Sequence, residues 1–286
     1  MHSYFNLLPL SLLLLLHLSV QKSITMNLDL TGKRAMVCGS TQGIGRAVAE
    51  EFAQMGAEVI LVARNKEKLE AEVAKLPSNG VQHSYLSADF SDPSALKEVV
   101  DEFVANEKPV HILVNNTGGP AGGLAIDANP EAYRVAFNQH LIANQILAQS
   151  LVPGMKDYGF GRIVNIISTS VKAPLNGLGV SNTIRGAVGN WSKTLANELG
   201  QYNITVNNVL PGATNTIRLQ SIAENKSAKT GQSTDEILAQ MAAAVPMKRI
   251  AQPEEVANAV AFLASTAASY INGINIPVDG GRTPCL

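Results

Sequence analysis

The chain has 286 residues, 46% of them hydrophobic, and a formal net charge of −1 at pH 7. This size and composition predict one globular domain, and the balanced charge without basic runs excludes a typical nucleic-acid surface. Two cysteines, Cys38 and Cys285, and scattered histidines indicate neither a disulfide framework nor a metal site. A small molecule is therefore the expected partner.

Residues 1–25 are an apolar extension, and the run from Leu7 to Val20 is typical of a signal-peptide core. No Lys or Arg precedes the run, no small-residue cleavage site follows it, and about 14 residues are fewer than the roughly 20 needed to span a bilayer. Translation from Met26 is the favoured alternative. We expect residues 26–286 to form a cytoplasmic domain, with export or membrane tethering as alternatives if the extension is a real signal.

From Lys33 onward, short apolar runs alternate with segments of helical period. The predicted strands are residues 35–38, 58–62, 82–87, 111–114, 162–167, 205–209 and 273–277, and the predicted helices are residues 44–55, 66–76, 93–106, 131–155, 180–199 and 254–265. Strand and helix in alternation predict parallel βαβ units with right-handed crossovers. The expected fold is a single α/β domain, a doubly wound parallel Rossmann sheet of about seven strands.

One polar segment, residues 215–245, interrupts this alternation after a predicted strand. An insertion at the carboxyl end of a strand is where a lid would close over a ligand, and a mobile surface helix pair is the alternative. Basic residues in and beside the segment hint at a polar or charged ligand: Lys226, Lys229, Lys248 and Arg249.

The turn after the first predicted strand is rich in glycine and opens a helix. Glycine suits this turn because the backbone must bend sharply and approach a pyrophosphate held at the helix N-terminus. The pattern predicts a dinucleotide site, with a tight turn that binds nothing as the alternative. Its candidate residues are Gly39, Thr41, Gln42, Gly43, Ile44 and Gly45.

The second predicted strand ends in Ala63-Arg64-Asn65. An acidic side chain at the end of this strand would bind the ribose 2′-hydroxyl of NAD, but that position holds Ala63. The Arg64 guanidinium suits a 2′-phosphate, so NADP(H) is the predicted cofactor, with Arg64 and Asn65 in its site. A solvated charge is the alternative for Arg64.

Several motifs together resemble the short-chain dehydrogenase/reductase family, from about Leu28 to Gly281, and are closest in pattern to 3-oxoacyl carrier-protein reductases. Besides the glycine loop, they are Ala88-Asp89-Phe90, Asn115-Asn116-Thr117-Gly118, Pro211-Gly212-Ala213-Thr214-Asn215-Thr216 and Val278-Asp279-Gly280-Gly281. The second of these motifs is Asn-Asn-Ala-Gly in the family, so Thr117 is a departure.

The resemblance implies NADP(H)-linked reduction of a carbonyl, a 3-oxoacyl compound or related ketone, or oxidation of the alcohol. It implies cofactor contacts at Asp89, Phe90, Asn116, Gly118, Pro211, Gly212, Thr214 and Thr216. It also implies a homotetramer or homodimer in which the two long predicted helices pack between subunits, through apolar positions such as Leu141, Leu147, Val188 and Trp191.

The catalytic positions that the resemblance implies are largely altered. Ser168 matches the family serine, but Ser181 and Arg185 occupy the tyrosine and lysine positions, and His140 occupies the asparagine position. A serine hydroxyl is too weak an acid to replace a phenol, and an arginine does not readily release its proton. The usual proton relay therefore cannot operate.

Three interpretations remain. In the first, His140, with an ordinary pKa of about 6.5, relays protons through Ser181 or water while Arg185 binds the ribose or an anionic substrate. In the second, the protein positions NADPH against an activated acceptor. In the third, it is an NADP(H)-binding protein with little or no turnover, as a sensor or structural protein. His140 as a hydrogen-bonded helix histidine and Ser181 as a helix cap are the structural alternatives.

Overall fold

A computed structural model describes residues 26–285 of the chain. The prediction of a signal-like segment at 1–25 lies outside the described residues. Within residues 26–285, no helix is long and apolar enough to cross a membrane.

Seven parallel strands form one sheet, in the order β3-β2-β1-β4-β5-β6-β7. The strand order reverses between β1 and β4, and ligands of such sheets bind in the crevice outside the carboxyl ends at that reversal. The predicted doubly wound α/β sheet of about seven strands is confirmed. The strands are β1 (Arg34–Cys38), β2 (Glu58–Ala63), β3 (Ser84–Ser87), β4 (Ile112–Asn115), β5 (Gly161–Ile166), β6 (Ile204–Pro211) and β7 (Asn275–Val278).

Nine α-helices of the described residues cover the sheet or flank its carboxyl edge. They are α1 (Gly43–Gln54), α2 (Lys66–Val73), α3 (Pro93–Asn106), α4 (Pro130–Phe137), α5 (Ala143–Tyr158), α6 (Gly179–Leu199), α7 (Ile217–Thr230), α8 (Thr234–Ala243) and α9 (Pro253–Ala264). A π-helical turn, Asn138–Ile142, joins α4 to α5. The predicted helix 131–155 is therefore one helical rod whose period changes in the middle.

The sheet separates two hydrophobic cores. On one face, β-strand residues such as Val37 pack with Phe52 of α1 and Val260 of α9. On the other face, residues such as Met36 pack with Leu147 of α5 and helix α3. Because both faces are covered, the central strands carry apolar runs, such as residues 35–38 in β1 and 112–114 in β4, instead of alternating apolar and polar residues.

The helix positions predicted to face a partner subunit are partly wrong. Leu147 and Val188 are 1% and 0% exposed, because each points into a core beneath its helix. Leu141 and Trp191 are partly buried, and the Trp191 indole donates to Gln145 Oε1 at 2.7 Å. Exposed apolar side chains in this region include Val135 and Phe137 on α4 and Tyr158 at the end of α5.

A ladder of asparagine side chains crosses the strands that end at the crevice. The Nδ2 of Asn115 donates to Asn165 at 2.8 Å, Asn165 donates to Asn208 at 3.0 Å, and Asn208 donates to Asn275 at 2.9 Å. These amides join β4, β5, β6 and β7 side by side. A slip of one residue in any of these strands would break the ladder, so it helps to fix the register that places the strand ends at one edge.

Candidate active site

A crevice of about 1610 Å³ runs along the carboxyl edge of the sheet. It is larger than the 300–1,000 Å³ typical of small-ligand pockets, so a dinucleotide and a substrate both fit. Its walls come from the ends of β1, β2, β4, β5 and β6 and from α7 and α8. Every predicted site residue lines it except Gly45 and His140.

The glycine loop between β1 and α1 is closely packed. A Cβ on Gly45 would lie 2.3 Å from the Gly39 carbonyl oxygen, and one on Gly39 would lie 2.6 Å from the Asn116 carbonyl oxygen. Asn116 Nδ2 also donates to the carbonyls of Cys38 and Gly39, at 3.3 Å each. Gly45 therefore supports the loop from behind instead of lining the crevice.

The N-terminus of α1 suits an anionic ligand. In the described structure, Gln42 is the N-cap and its side chain does not cap the helix, so no side-chain oxygen occupies the first backbone N–H groups. Free N–H groups and the positive end of the helix dipole favour a phosphate at this position. The residues present therefore fit a dinucleotide pyrophosphate.

The end of β2 carries exposed positive charge. Arg64 lies at the rim of the crevice, and Lys68, one turn into α2, lines the same end. The Asn65 side chain accepts from Lys68 N at 2.8 Å, so it caps α2, a role the sequence analysis did not assign to it. The placement of Lys68 on α2 beside the last residues of β2 could have identified it as a second cation of this site.

The Asp89 carboxylate lies opposite these cations, after β3. Its Oδ1 accepts from the backbone N–H of Ser91 at 2.9 Å and from the Ser91 hydroxyl at 2.7 Å. The backbone hydrogen bond is the main reason why the pKa of Asp89 is lowered, and the charge of Arg64 lowers it further. Asp89 is therefore ionised at neutral pH.

Ser168 and Ser181 face the centre of the crevice. Ser168 Oγ accepts from the backbone N–H of Ser170 at 3.1 Å and caps a short 3-10 turn, which leaves its own hydroxyl hydrogen available to a ligand. Ser181 lies in the first turn of α6, but Leu178 is the N-cap. The alternative that Ser181 caps this helix is therefore wrong.

Arg185 is a buried cation at the bottom of the crevice. Its Nη1 donates to the Ile166 carbonyl at 3.1 Å, and its Nη2 lies 3.5 Å from the Thr117 carbonyl oxygen. Within residues 26–285, no carboxylate pairs with it. Burial, and then the charge of Arg218, lower the pKa of Arg185 to about 10, so it stays protonated at neutral pH.

His140 lies on the π-helical turn, 1% exposed, and does not line the crevice. Its Nδ1 lies 2.5 Å from the Thr117 hydroxyl, and its Nε2 has no hydrogen-bond partner among the described residues. Burial, and then the charge of Arg185, lower the pKa of His140 to about 2. This corrects the expectation of an ordinary pKa and of a histidine within reach of Ser181, since Thr117 separates the imidazole from the crevice.

The predicted lid segment, 215–245, consists of α7 and α8, both of which line the crevice. Thr216 caps α7 by accepting from Leu219 N at 3.3 Å, and its methyl group would lie 3.2 Å from a Cβ on Gly43. The segment therefore stands directly across from the glycine loop. Of its highlighted cations, Lys226 and Lys229 line the crevice.

The other two highlighted cations, Lys248 and Arg249, do not line the crevice, and Arg249 pairs instead with Glu255 at 2.6 Å. Arg218, which was not among the predicted site residues, lines the crevice from the first turn of α7. Its Nη2 donates to the Pro120 carbonyl at 2.5 Å. Its place two residues after the predicted cofactor motif at residues 211–216 could have identified it.

Among the described residues, no tyrosine and no histidine lines the crevice. The positions that carry acid or base groups are instead occupied by hydroxyls and by Arg185. The arrangement can hold a polar oxygen with Ser168 and stabilise negative charge with Arg185, but it contains no group of phenol-like acidity.

A family model described as enoyl-(acyl carrier protein) reductase matches residues 39–283. The chain is 33% identical over 253 residues to 2,3-dihydro-2,3-dihydroxybenzoate dehydrogenase of Bacillus subtilis, which covers 88% of this chain and 96% of that protein. It is 31% identical over 257 residues to a 3-oxoacyl-[acyl-carrier-protein] reductase of Pseudomonas aeruginosa, which covers 89% of this chain and 98% of that one.

Solved structures are similar over comparable lengths. L-sorbose reductase from Gluconobacter frateurii, complexed with NADPH and L-sorbose, has a TM-score of 0.85 and 34% identity, and the match covers 91% of this chain and 100% of that one. A single-substitution variant of actinorhodin polyketide ketoreductase, solved with NADPH, has a TM-score of 0.83 and 31% identity, with 88% and 98% covered.

Proposed function

Because the chain belongs to the short-chain dehydrogenase/reductase family, we propose that it is an NADP(H)-dependent oxidoreductase. Its reaction is reduction of a carbonyl, in a 3-oxoacyl compound or related ketone, or oxidation of the alcohol. The observation that carries the proposal is the single crevice that connects the glycine loop with Ser168 and Arg185. The NADPH complexes of similar reductases support the choice of cofactor.

The cofactor is held by groups whose chemistry fits each of its parts. The glycine loop and the N-terminus of α1 would hold the pyrophosphate. Arg64 and Lys68 would bind the 2′-phosphate, and Ala63 contributes no carboxylate to repel it. Asp89 and Phe90 would contact the adenine.

Bound NADPH supplies the hydride that reduces the carbonyl carbon. Ser168 donates a hydrogen bond to the carbonyl oxygen, using the hydrogen that its capping role leaves free. Arg185 stabilises the negative charge that develops on that oxygen, in a site where burial strengthens the interaction. Water in the crevice, next to Ser181, delivers the proton.

His140 is a positioning residue in this scheme. It binds the Thr117 hydroxyl, and the Thr117 carbonyl lies next to Arg185. The imidazole thus holds the strand end against which the guanidinium rests. This replaces the hypothesis of a direct histidine relay.

The test is NADPH oxidation by the full chain, followed by absorbance, with a panel of 3-oxoacyl thioesters, ketones, quinones and imines. We expect at least one acceptor to be reduced, and Ser168→Ala to lower kcat about a hundredfold with little change in NADPH affinity. Ser170→Ala is the matched control, because the buried Ser170 Oγ has no hydrogen-bond partner among the described residues. Equal rates for the two variants would remove Ser168 from the mechanism.

A second candidate is an NADP(H)-binding protein with little or no turnover. It is favoured by the absence of a tyrosine from the crevice walls of the described chain and by the depth of His140. Quenching of NADPH fluorescence without consumption of any acceptor in the panel would support this candidate over the oxidoreductase.

We propose that the protein works as a homotetramer or homodimer. The exposed Val135 and Phe137 on α4 support this, because exposed apolar side chains are typical of subunit contacts. Light scattering after gel filtration should give a multiple of 30.3 kDa, less any processed segment, and Val135→Glu should shift it toward monomer.

We also propose that α7 and α8 act as a lid and that the protein is cytoplasmic. Their position across from the glycine loop supports the first, and NADPH should slow amide exchange in 217–243 if it is correct. The lack of Lys or Arg before the apolar run from Leu7 to Val20 and of a cleavage site after it supports the second, which fractionation of cells producing a C-terminally tagged chain would test.

A further inference from the structure

The crevice is positively charged although the whole chain is not. The formal net charge of the chain is −1, yet Asp89 is the one acidic residue among the described residues that line the crevice. Basic side chains occur along its whole length: Arg64 and Lys68 at one end, Arg185 and Arg218 near the centre, Lys226 and Lys229 on α7, and Arg282 after β7. Arg64 and Lys68 are accounted for by the cofactor and Arg185 by the charge that develops on the carbonyl oxygen, but Arg218 has no role so far.

Arg185 and Arg218 contact the same short segment after β4, Arg185 at the Thr117 carbonyl and Arg218 at the Pro120 carbonyl. Arg185 comes from α6 and Arg218 from α7, and neither forms a salt bridge with any carboxylate of residues 26–285. Arg185 is bonded only to main-chain carbonyl oxygens, and Arg218 to the carbonyl of Pro120. Besides burial, the positive charge of Arg218 lowers the pKa of the Arg185 guanidinium.

Arg218 lies against the loop that follows β4. A Cβ on Gly119 would lie 3.5 Å from Arg218 Nη2, an ordinary contact distance, so the guanidinium is held beside this loop. Two like charges in a partly buried crevice are unfavourable unless an anion lies between them, and a guanidinium fork matches the two oxygens of a carboxylate.

We infer that the substrate is an oxo acid whose carboxylate binds between Arg185 and Arg218 while its carbonyl reaches Ser168. The inference rests on the proposed oxidoreductase function and adds the class of substrate. Because Arg185 is bonded to Ile166, at the end of the strand that precedes Ser168, the carboxylate lies close along the substrate to the reacting carbonyl. A 2-oxo or 3-oxo acid has this spacing.

Binding is tested first, without turnover, by calorimetric titration of malonate into the full chain alone and into the chain saturated with NADPH. We expect malonate to bind in both cases, and Arg218→Gln to weaken it about tenfold or more. Arg134→Gln is the control, because Arg134 is exposed on α4 and does not line the crevice. The malonate dissociation constant of Arg134→Gln should stay within twofold of that of the parent protein.

Two results would overturn the inference. The first is equal malonate affinity in the parent and Arg218→Gln. The second is loss of malonate binding when NADPH is present, since the two guanidinium groups would then belong to the cofactor phosphates. Failure of NADPH to bind at all would instead refute the proposed function, and the malonate titration of the free chain would still decide whether the anion site exists.

A second test of the inference compares KM values for two substrates during turnover. Acetoacetate and methyl acetoacetate share the same reacting ketone and differ in the carboxylate charge. The ratio of KM for acetoacetate to KM for the ester should rise about tenfold in Arg218→Gln and stay within twofold of the parent in Arg134→Gln. An unchanged ratio in Arg218→Gln would contradict the inference.

Discussion

The Thr117 hydroxyl oxygen lies 2.5 Å from His140 Nδ1, where the end of β4 meets the π-helical turn. Both residues depart from the family pattern, in which alanine and asparagine hold these positions. Thr117 also places its carbonyl oxygen 3.5 Å from Arg185, a third departure. These substitutions are therefore in contact with one another, and the altered site is a connected structure.

Removing the Thr117 hydroxyl tests this contact. Thr117→Ala leaves His140 buried with neither ring nitrogen bonded, which should lower the free energy of unfolding by about 1–3 kcal/mol in urea titrations. Thr117→Ala/His140→Leu removes both polar groups and should recover part of that loss. Thr194→Ala, in the exposed part of α6, should change stability by no more than about 0.5 kcal/mol. If the double variant loses as much unfolding free energy as Thr117→Ala and His140→Leu lose in sum, the two residues are not coupled.

Stability should fall in mild acid because of buried histidine. Burial lowers the pKa of His140 to about 2, and that of His111 to about 4, whereas both are near 6.5 in the unfolded chain. Between pH 6.5 and 4 the unfolded chain therefore binds protons that the folded chain does not, so stability rises with pH. From pH 7.5 to pH 5, His140 alone should account for a loss of about 2 kcal/mol.

The measurement is urea unfolding of the parent and of His140→Asn at both pH values. Asparagine does not titrate, so the variant should lose about 2 kcal/mol less than the parent over this interval. Parallel losses in the two proteins would show that His140 is not held neutral.

Gly45 and Gly186 differ in the space around them, so substituting each by alanine should have opposite effects on stability. Gly45→Ala forces a Cβ to within 2.3 Å of the Gly39 carbonyl oxygen, so it should lower stability by about 1–3 kcal/mol and weaken NADPH binding. Gly186→Ala, on α6, meets nothing within 4 Å and should raise stability by about 0.5–1 kcal/mol. Thermal unfolding and NADPH fluorescence report both effects. A tolerated Gly45→Ala would mean that the loop has room to move.

The choice between NADPH and NADH should depend on Arg64. Arg64→Ala should weaken NADPH binding about 10- to 100-fold, because a charge-assisted bond to the 2′-phosphate is lost, and leave NADH within twofold. Lys66→Ala is the control, since this exposed side chain does not line the crevice. Ala63→Asp should reverse the preference by binding the ribose hydroxyl and repelling the phosphate. Equal losses for both cofactors in Arg64→Ala would refute this role.

Restoring the family acid should speed the reaction. Ser181→Tyr/Arg185→Lys introduces a phenol whose pKa is lowered by an ammonium group, and general acid catalysis of this kind contributes about 10²- to 10⁴-fold. We expect kcat for carbonyl reduction to rise by about a hundredfold. Ser181→Phe/Arg185→Lys fills the same volume without a hydroxyl and is the control. A comparable rise in the control would assign the effect to packing.

The sheet and the nucleotide loop could be predicted because their signals are local. Apolar runs separated by segments of helical period identify strands and helices in order, and the glycine spacing follows from backbone conformation within a few residues. The chain order of such units then fixes the crevice at one edge. Residues such as Gly39, Arg64 and Ser168 were located because each stands directly after a strand.

The depth of a helical side chain was harder to predict. Leu147 and Val188 belong to helices with an apolar stripe, and sequence alone does not say whether the stripe faces the sheet or another subunit. His140 is buried because a π-helical turn shifts the face of the helix at that point, which a regular period of 3.6 residues cannot reveal. The approach of Arg218 to Arg185 depends on how α7 returns across the crevice, a relationship between distant parts of the chain.

The uneven charge of the crevice also affects how fast ligands arrive. Cationic side chains far outnumber the single carboxylate of Asp89 among the described residues there, so the field attracts phosphate-bearing and acidic molecules from solution before any contact is made. Dissolved ions shorten the reach of that attraction to about 8 Å at 0.15 M ionic strength. Encounter with the cofactor is therefore steered at low ionic strength and becomes ordinary diffusion in concentrated salt.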